Sequence, residues 1–132
     1  MEGVNARIVT PQMVGFTPDI VTADLSFISL RMIYPVIAAL LPEHGIAVTL
    51  IKPQFEAGRA DIGKNGVVHS HAVHLRVLEE LEQAAVLQGL FPADACVSPI
   101  RGQEGNIEYL VCYTRQKTGV KPDYAALAKH GV

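Results

Sequence analysis

The chain has 132 residues, 49% of them hydrophobic and 18% charged, which excludes a disordered segment and leaves room for one domain with a sizeable core. The 11 Lys and Arg against 13 Asp and Glu give a formal net charge of -2 at pH 7, so no overall field draws in nucleic acid, and any RNA contact must be local or supplied by another domain. The most apolar region, Met32 to Leu41, is interrupted by Pro35 and bounded by Pro42, which argues against a membrane span; the first residues lack the apolar centre of a signal peptide, so a cytoplasmic location is expected.

Glu2 to Val9 is short and mixed, and reads as the end of a strand and the loop after it. Ile20 to Ala23 reads as a strand that ends in a carboxylate, Asp24. Ser29 can cap a following helix, in which Leu30, Ile33, Ile37, Leu40 and Leu41 recur near helical spacing; Pro35 should kink that helix or delay its start. Pro42 to Gly45 is a turn.

Ile46 to Ile51 follows, apolar or β-branched without clear alternation, as expected of a parallel strand covered on both faces. Lys52 stands where the apolar run stops, and Pro53 ends the ladder. In open α/β sheets ligands sit beyond the carboxyl ends of the strands, so Lys52 either faces a site or is a solvated strand-end lysine. Strand, helix and strand together make a right-handed crossover unit.

The glycine-rich stretch after Glu56 reads as a mobile loop. Ser70 can cap the next helix, with Val73, Val77, Leu81 and Ala84 or Ala85 on one apolar face and Gly89 at its end. Ala95 to Ile100 and Ile107 to Tyr113 read as an antiparallel strand pair at one side of the sheet. Cys96 and Cys112 fall in these segments and are expected as buried free thiols. Residues 117–132 read as a weakly structured tail with a turn of helix over Tyr124 to Lys129.

Asp24, Lys52 and Glu108 then lie at strand positions in one half of a sheet. Glu108 breaks an apolar run, so it faces either solvent or something specific. The trio is either a buried ion-pair network or a base with orienting carboxylates; a base role needs the lysine brought down from its ordinary value of about 10.4. His69, His71 and His74 lack ligand spacing, and a solvated helix start accounts for them, so no metal site is assigned. Gly58, Gly63 and Gly66 match neither common phosphate-loop pattern, which counts against a kinase or an NAD enzyme.

Three blocks carry a resemblance: Ala23-Asp24-Leu25-Ser26-Phe27-Ile28-Ser29-Leu30, Leu50-Ile51-Lys52-Pro53-Gln54-Phe55-Glu56, and Ser98-Pro99-Ile100-Arg101-Gly102 with Gly105-Asn106-Ile107-Glu108-Tyr109-Leu110. They resemble the TlyA (hemolysin A-like) ribosomal RNA methyltransferases of the FtsJ-like superfamily. The resemblance implies an α/β, Rossmann-like methyltransferase sheet, mostly parallel with an antiparallel C-terminal strand pair, over residues 1–116. It implies S-adenosylmethionine-dependent 2′-O-methylation of cytidine in ribosomal RNA, with ribosomal RNA or a ribosomal subunit as partner.

Within the family's Lys-Asp-Lys-Glu tetrad, Asp24 would be the Asp, Lys52 the second Lys and base, and Glu108 the Glu. Asn5 and Ala6 would contact the methyl donor, as would Asp24, Leu25 and Ser26. Arg59, Lys64 and Arg101 are the candidates for RNA backbone contacts, with solvated loop charges as the alternative. The family's first lysine, its glycine-rich motif and the first two strands find no match here, so the resemblance implies the C-terminal part of a longer domain. It also implies a bare sheet edge that pairs with another copy or drives aggregation. Asp-Leu-Ser-Phe stands where enzymes acting on base amines carry Asn/Asp-Pro-Pro-Tyr/Phe, which favours a hydroxyl acceptor. The other reading from these residues is a non-catalytic RNA-binding or interaction module on the same sheet; the family's older name also suggests a pore-former, which no apolar span supports.

Overall fold

The computed structural model describes residues 1–131. Its centre is a four-stranded sheet of β1 (Ile20–Ala23), β2 (Ile46–Ile51), β3 (Phe91–Val97) and β4 (Tyr109–Thr114), in the order β1-β2-β4-β3. β1 and β2 are parallel, with Ala23 opposite Thr49, while β4 lies between β2 and β3 and runs against both. The sheet is therefore mixed. The expected antiparallel pair is present, but a mostly parallel sheet describes only the direction of β1, β2 and β3; of the three pairings, one is parallel. The last strand inserts between two earlier ones, and local sequence carries no sign of such a non-local pairing.

Burial alternates along β2 and β4, in contrast to the two-sided cover expected for β2. Ala47, Thr49, Ile51, Tyr109, Val111 and Tyr113 are buried on one face, under helices α2 (Tyr34–Leu40) and α4 (His71–Leu87), while Val48, Leu50, Leu110 and Cys112 on the other are half-buried. Two side-chain bonds tie the helices to the covered face: Tyr34 OH to Tyr113 OH at 3.0 Å, and His74 Nδ1 to Tyr109 OH at 2.6 Å.

Pro35 sits in the first turn of α2, after a short 3-10 turn over Leu30–Met32 that Ser29 caps through the Arg31 N–H. It delays the helix rather than kinking it, because a proline in a first turn forfeits no helical hydrogen bond. Ser70 caps α4 by accepting from the Val73 N–H. Residues 2–9 form a 3-10 turn over Ala6–Ile8 instead of the end of a strand.

Two further expectations are corrected. Residues 117–123 form no helix or strand, as expected, but the turn of helix expected over Tyr124 to Lys129 is a longer helix that is part of the core: α5 (Tyr124–Gly131) packs on α4, Tyr124 and Ala128 are buried, and the Tyr124 hydroxyl donates to Glu82 Oε1 at 3.0 Å. The cysteines are free but not buried, Cys96 being exposed and Cys112 half-buried, because both point to the less covered face. No helix among the described residues is long and apolar enough to cross a membrane.

Candidate active site

β1 and β2 end side by side, at Asp24 and Lys52. Because β4 is reversed, its beginning lies at that same edge: Tyr109 pairs with Ile51 and, on the other side, with Val97. Glu108 therefore arrives beside Lys52 from a strand start rather than from within a strand, and its carbonyl accepts from the Ser98 N–H at 2.8 Å.

The strand ends surround a cleft of about 400 Å³, a size that suits a small-molecule site. The cross-strand pair Leu50 and Leu110 lines it, along with Asp24, Ser26, Lys52 and Glu108. Lys52 Nζ lies 2.6 Å from Asp24 Oδ1 and 3.3 Å from Ser26 Oγ. The lysine side chain is only 14% exposed and the aspartate 68%. The ammonium is thus largely withdrawn from solvent while its counter-ion stays open to the cleft. Glu108 is 6% exposed, and its Oε1 accepts from Gln54 Nε2 at 3.0 Å.

Phe27 and Phe55 form the apolar wall, with ring centroids 4.8 Å apart, and Lys52 Nζ is 6.0 Å from the Phe55 centroid. Phe27 takes a positive φ of 62° and is 84% exposed, a combination of backbone strain and open apolar surface.

Of the sequence-predicted residues, the structure brings together Asp24, Ser26, Lys52 and Glu108. It does not place the others on the cleft wall. The Asn5 side chain caps the turn before Arg7, and Ala6 and Leu25 pack against the core. Arg59, Lys64 and Arg101 are exposed loop residues, and Arg101 donates to the Gly105 carbonyl at 3.3 Å.

Glu56 turns away to tie the helical region to the end of β2, accepting from the Ser29 hydroxyl at 2.6 Å and the Leu30 N–H at 2.9 Å; burial raises its pKa. His74 is not part of a solvated helix start. It is fully buried, with Nε2 donating to the Val68 carbonyl at 2.9 Å and Nδ1 left to accept from Tyr109. Gln54, Phe55, Ser98 and Gly102 also line the cleft, and sequence reasoning gave them no role. Each lies within six residues of Lys52 or on the run of residues before Glu108, and that nearness to the strand tips was the available signal.

A model of the FtsJ-like methyltransferases matches residues 1–115. The chain belongs to the FtsJ-like methyltransferase family. Among relatives, it is 43% identical over 114 residues to YqxC of Bacillus subtilis (strain 168), whose name describes a provisional rRNA methyltransferase; the match covers 84% of this chain and 40% of that protein. It is 37% identical over 111 residues to the 16S/23S rRNA (cytidine-2′-O)-methyltransferase TlyA of Mycobacterium tuberculosis (strain H37Rv), covering 84% of this chain and 41% of that protein. The crystal structure of a provisionally named hemolysin from Lactococcus lactis superposes with a TM-score of 0.90 at 32% identity, covering 98% of this chain and 64% of that one. This FtsJ-like chain spans less than half the length of the curated relatives it matches.

Proposed function

We propose that this chain carries the acceptor side of an S-adenosylmethionine-dependent 2′-O-methyltransferase acting on cytidine in ribosomal RNA. The observation that carries the reading is Lys52 Nζ, largely buried at the tip of β2 and 2.6 Å from Asp24 in a cleft that also holds the carboxylate of Glu108. A strand-end amine beside a carboxylate suits proton removal from a hydroxyl once the amine is neutral.

When bound, S-adenosylmethionine supplies an electrophilic methyl group on a sulfonium. The cleft fits such a donor, since the exposed carboxylate of Asp24 and the hydroxyl of Ser26 are of the kinds that attract a cationic sulfur and its polar substituents. In its neutral form Lys52 accepts the proton of the ribose hydroxyl at Nζ, the ammonium so formed is the species that pairs with Asp24, and Glu108 orients the hydroxyl from the β4 side. Methyl transfer of this kind gains mainly from positioning. Ribosomal RNA as substrate follows the relative's name, and a cytoplasmic location follows that substrate.

The test is methyl transfer from labelled S-adenosylmethionine to ribosomal RNA by the full-length protein, with nucleosides separated by mass spectrometry. The expected product is 2′-O-methylcytidine. A methyl group found only on bases, or undiminished transfer by Lys52→Ala, would overturn the reading.

A further inference from the structure

Among the described residues, Gln54 Oε1 is the one buried side-chain polar atom without a hydrogen-bond partner. Native structures pair nearly all such atoms, and the exceptions call for an explanation. Here the explanation lies at the other end of the same amide. Gln54 Nε2 donates to Glu108 Oε1 at 3.0 Å. Turning the amide over would satisfy nothing at that contact, because it would set a carbonyl oxygen against a carboxylate oxygen. The orphaned carbonyl is the cost of keeping a donor on Glu108.

Gly102 confines the same carboxylate from another side. Its backbone, at φ -79° and ψ -167°, is open to any residue, so conformation does not require glycine there. Space does: a Cβ on Gly102 would overlap Glu108 Oε1 and stand 3.3 Å from Gln54 Nε2. Gly102 cannot retreat freely, since its N–H donates to the Asn106 carbonyl at 2.8 Å. The Ser98 N–H meanwhile holds the backbone carbonyl of Glu108.

We propose that Gln54 is a positioning residue, which with Gly102 commits Oε1 of Glu108 and so presents Oε2 to the acceptor hydroxyl beside Lys52. The inference rests on the 2′-O-methyltransferase reading and adds a residue to it. Gln54 touches no reacting atom; it acts through the rotamer of Glu108. Its loss therefore slows the chemical step and leaves substrate affinity alone.

Three variants of the full-length protein test this, measured by single-turnover methyl transfer and by thermal unfolding. Gln54→Met removes both the donor and the orphaned acceptor at nearly constant volume. The expected result is a fall in kcat of about 10- to 100-fold with KM for RNA little changed, as for a small displacement of a reacting group. The melting temperature should change little, because loss of the donor to Glu108 Oε1 offsets removal of the orphaned carbonyl, and the split between kcat and KM is the readout that a merely structural role would not give. Gly102→Ala, which crowds the carboxylate from the other side, should show the same fall in kcat.

Lys52→Ala separates the two levels of the argument. If it abolishes transfer while Gln54→Met and Gly102→Ala keep wild-type kcat, the positioning role is overturned and the function stands. If all three keep wild-type kcat, both are overturned. A readout independent of activity is the side-chain amide of Gln54 in a 15N–1H spectrum. Its protons should exchange slowly and its cross-peak should move in Glu108→Ala; an unmoved cross-peak would also overturn the proposal.

Discussion

Glu108 and Tyr109 are neighbours in the chain but face opposite sides of the sheet, and their surroundings differ in one respect. On the Tyr109 side every polar group named above has a partner. His74 bridges Tyr109 OH and the Val68 carbonyl, and Asn106 accepts from the Val68 N–H while donating to the carbonyls of Gly66 and Gln103. On the Glu108 side a glutamine carbonyl is left unpaired and a carboxylate faces an open cleft. A fully paired network rigidifies a fold, whereas an incompletely paired one is kept where something else is gained. The contrast separates scaffold from site across a single peptide bond.

Substitutions on the two sides should fail in different ways. Lys52→Ala should give the largest effect, a loss of about 100- to 10,000-fold in single-turnover methyl transfer, the range of acid-base assistance. Its unfolding free energy should change by less than about 1 kcal/mol, because the partner Asp24 is mostly exposed. Equal losses of activity and stability would erase the contrast.

His74→Ala should do the reverse. It opens a cavity and strands Tyr109 OH and the Val68 carbonyl, at a cost of about 2–5 kcal/mol in denaturant unfolding, while the folded fraction keeps its turnover.

Acid should sharpen the same point. Burial, foremost, holds the pKa of His74 below its ordinary value, with the nearby His71 and His69 adding to it. The unfolded chain then binds a proton that the folded one refuses. Stability from this residue is complete above the unfolded value of about 6.5 and declines as the pH falls from there towards the folded value, by at most about 1.4 kcal/mol per unit. Urea midpoints measured between pH 7.5 and 5 should fall in the wild type and flatten in His74→Ala. The smallest effect belongs to Tyr124→Phe, which removes the bond to Glu82 and should cost about 1 kcal/mol with activity unchanged.

The strand tips were legible because chemistry and punctuation coincide there: Asp24 ends an apolar run, and Lys52 stands between another such run and Pro53. The caps at Ser29 and Ser70 were legible for the same local reason. His74 was not, since a histidine in the first turn of a helix looks solvated until a tyrosine 35 residues later covers it. Tyr124 was hidden likewise, because its burial depends on α4. Gln54 and Gly102 stood inside blocks already singled out, but the reason for a glycine whose dihedrals are ordinary appears only once the Glu108 carboxylate is in place.

The position of β4 has a consequence for how the molecule is made. β2 and β3 do not pair with each other; both pair with β4, the last of the four described strands in chain order. Until residues 109–114 emerge, β3 has no partner among the described strands, and the edge of β2 that β4 will occupy stays open. Contacts that close only after so long a stretch of chain form slowly, and waiting strands are exposed to mispairing. The cleft takes walls from Asp24, Lys52, Ser98 and Glu108, so it does not exist before β4 inserts. Appearance of the cleft during refolding is therefore a clock for the insertion of β4.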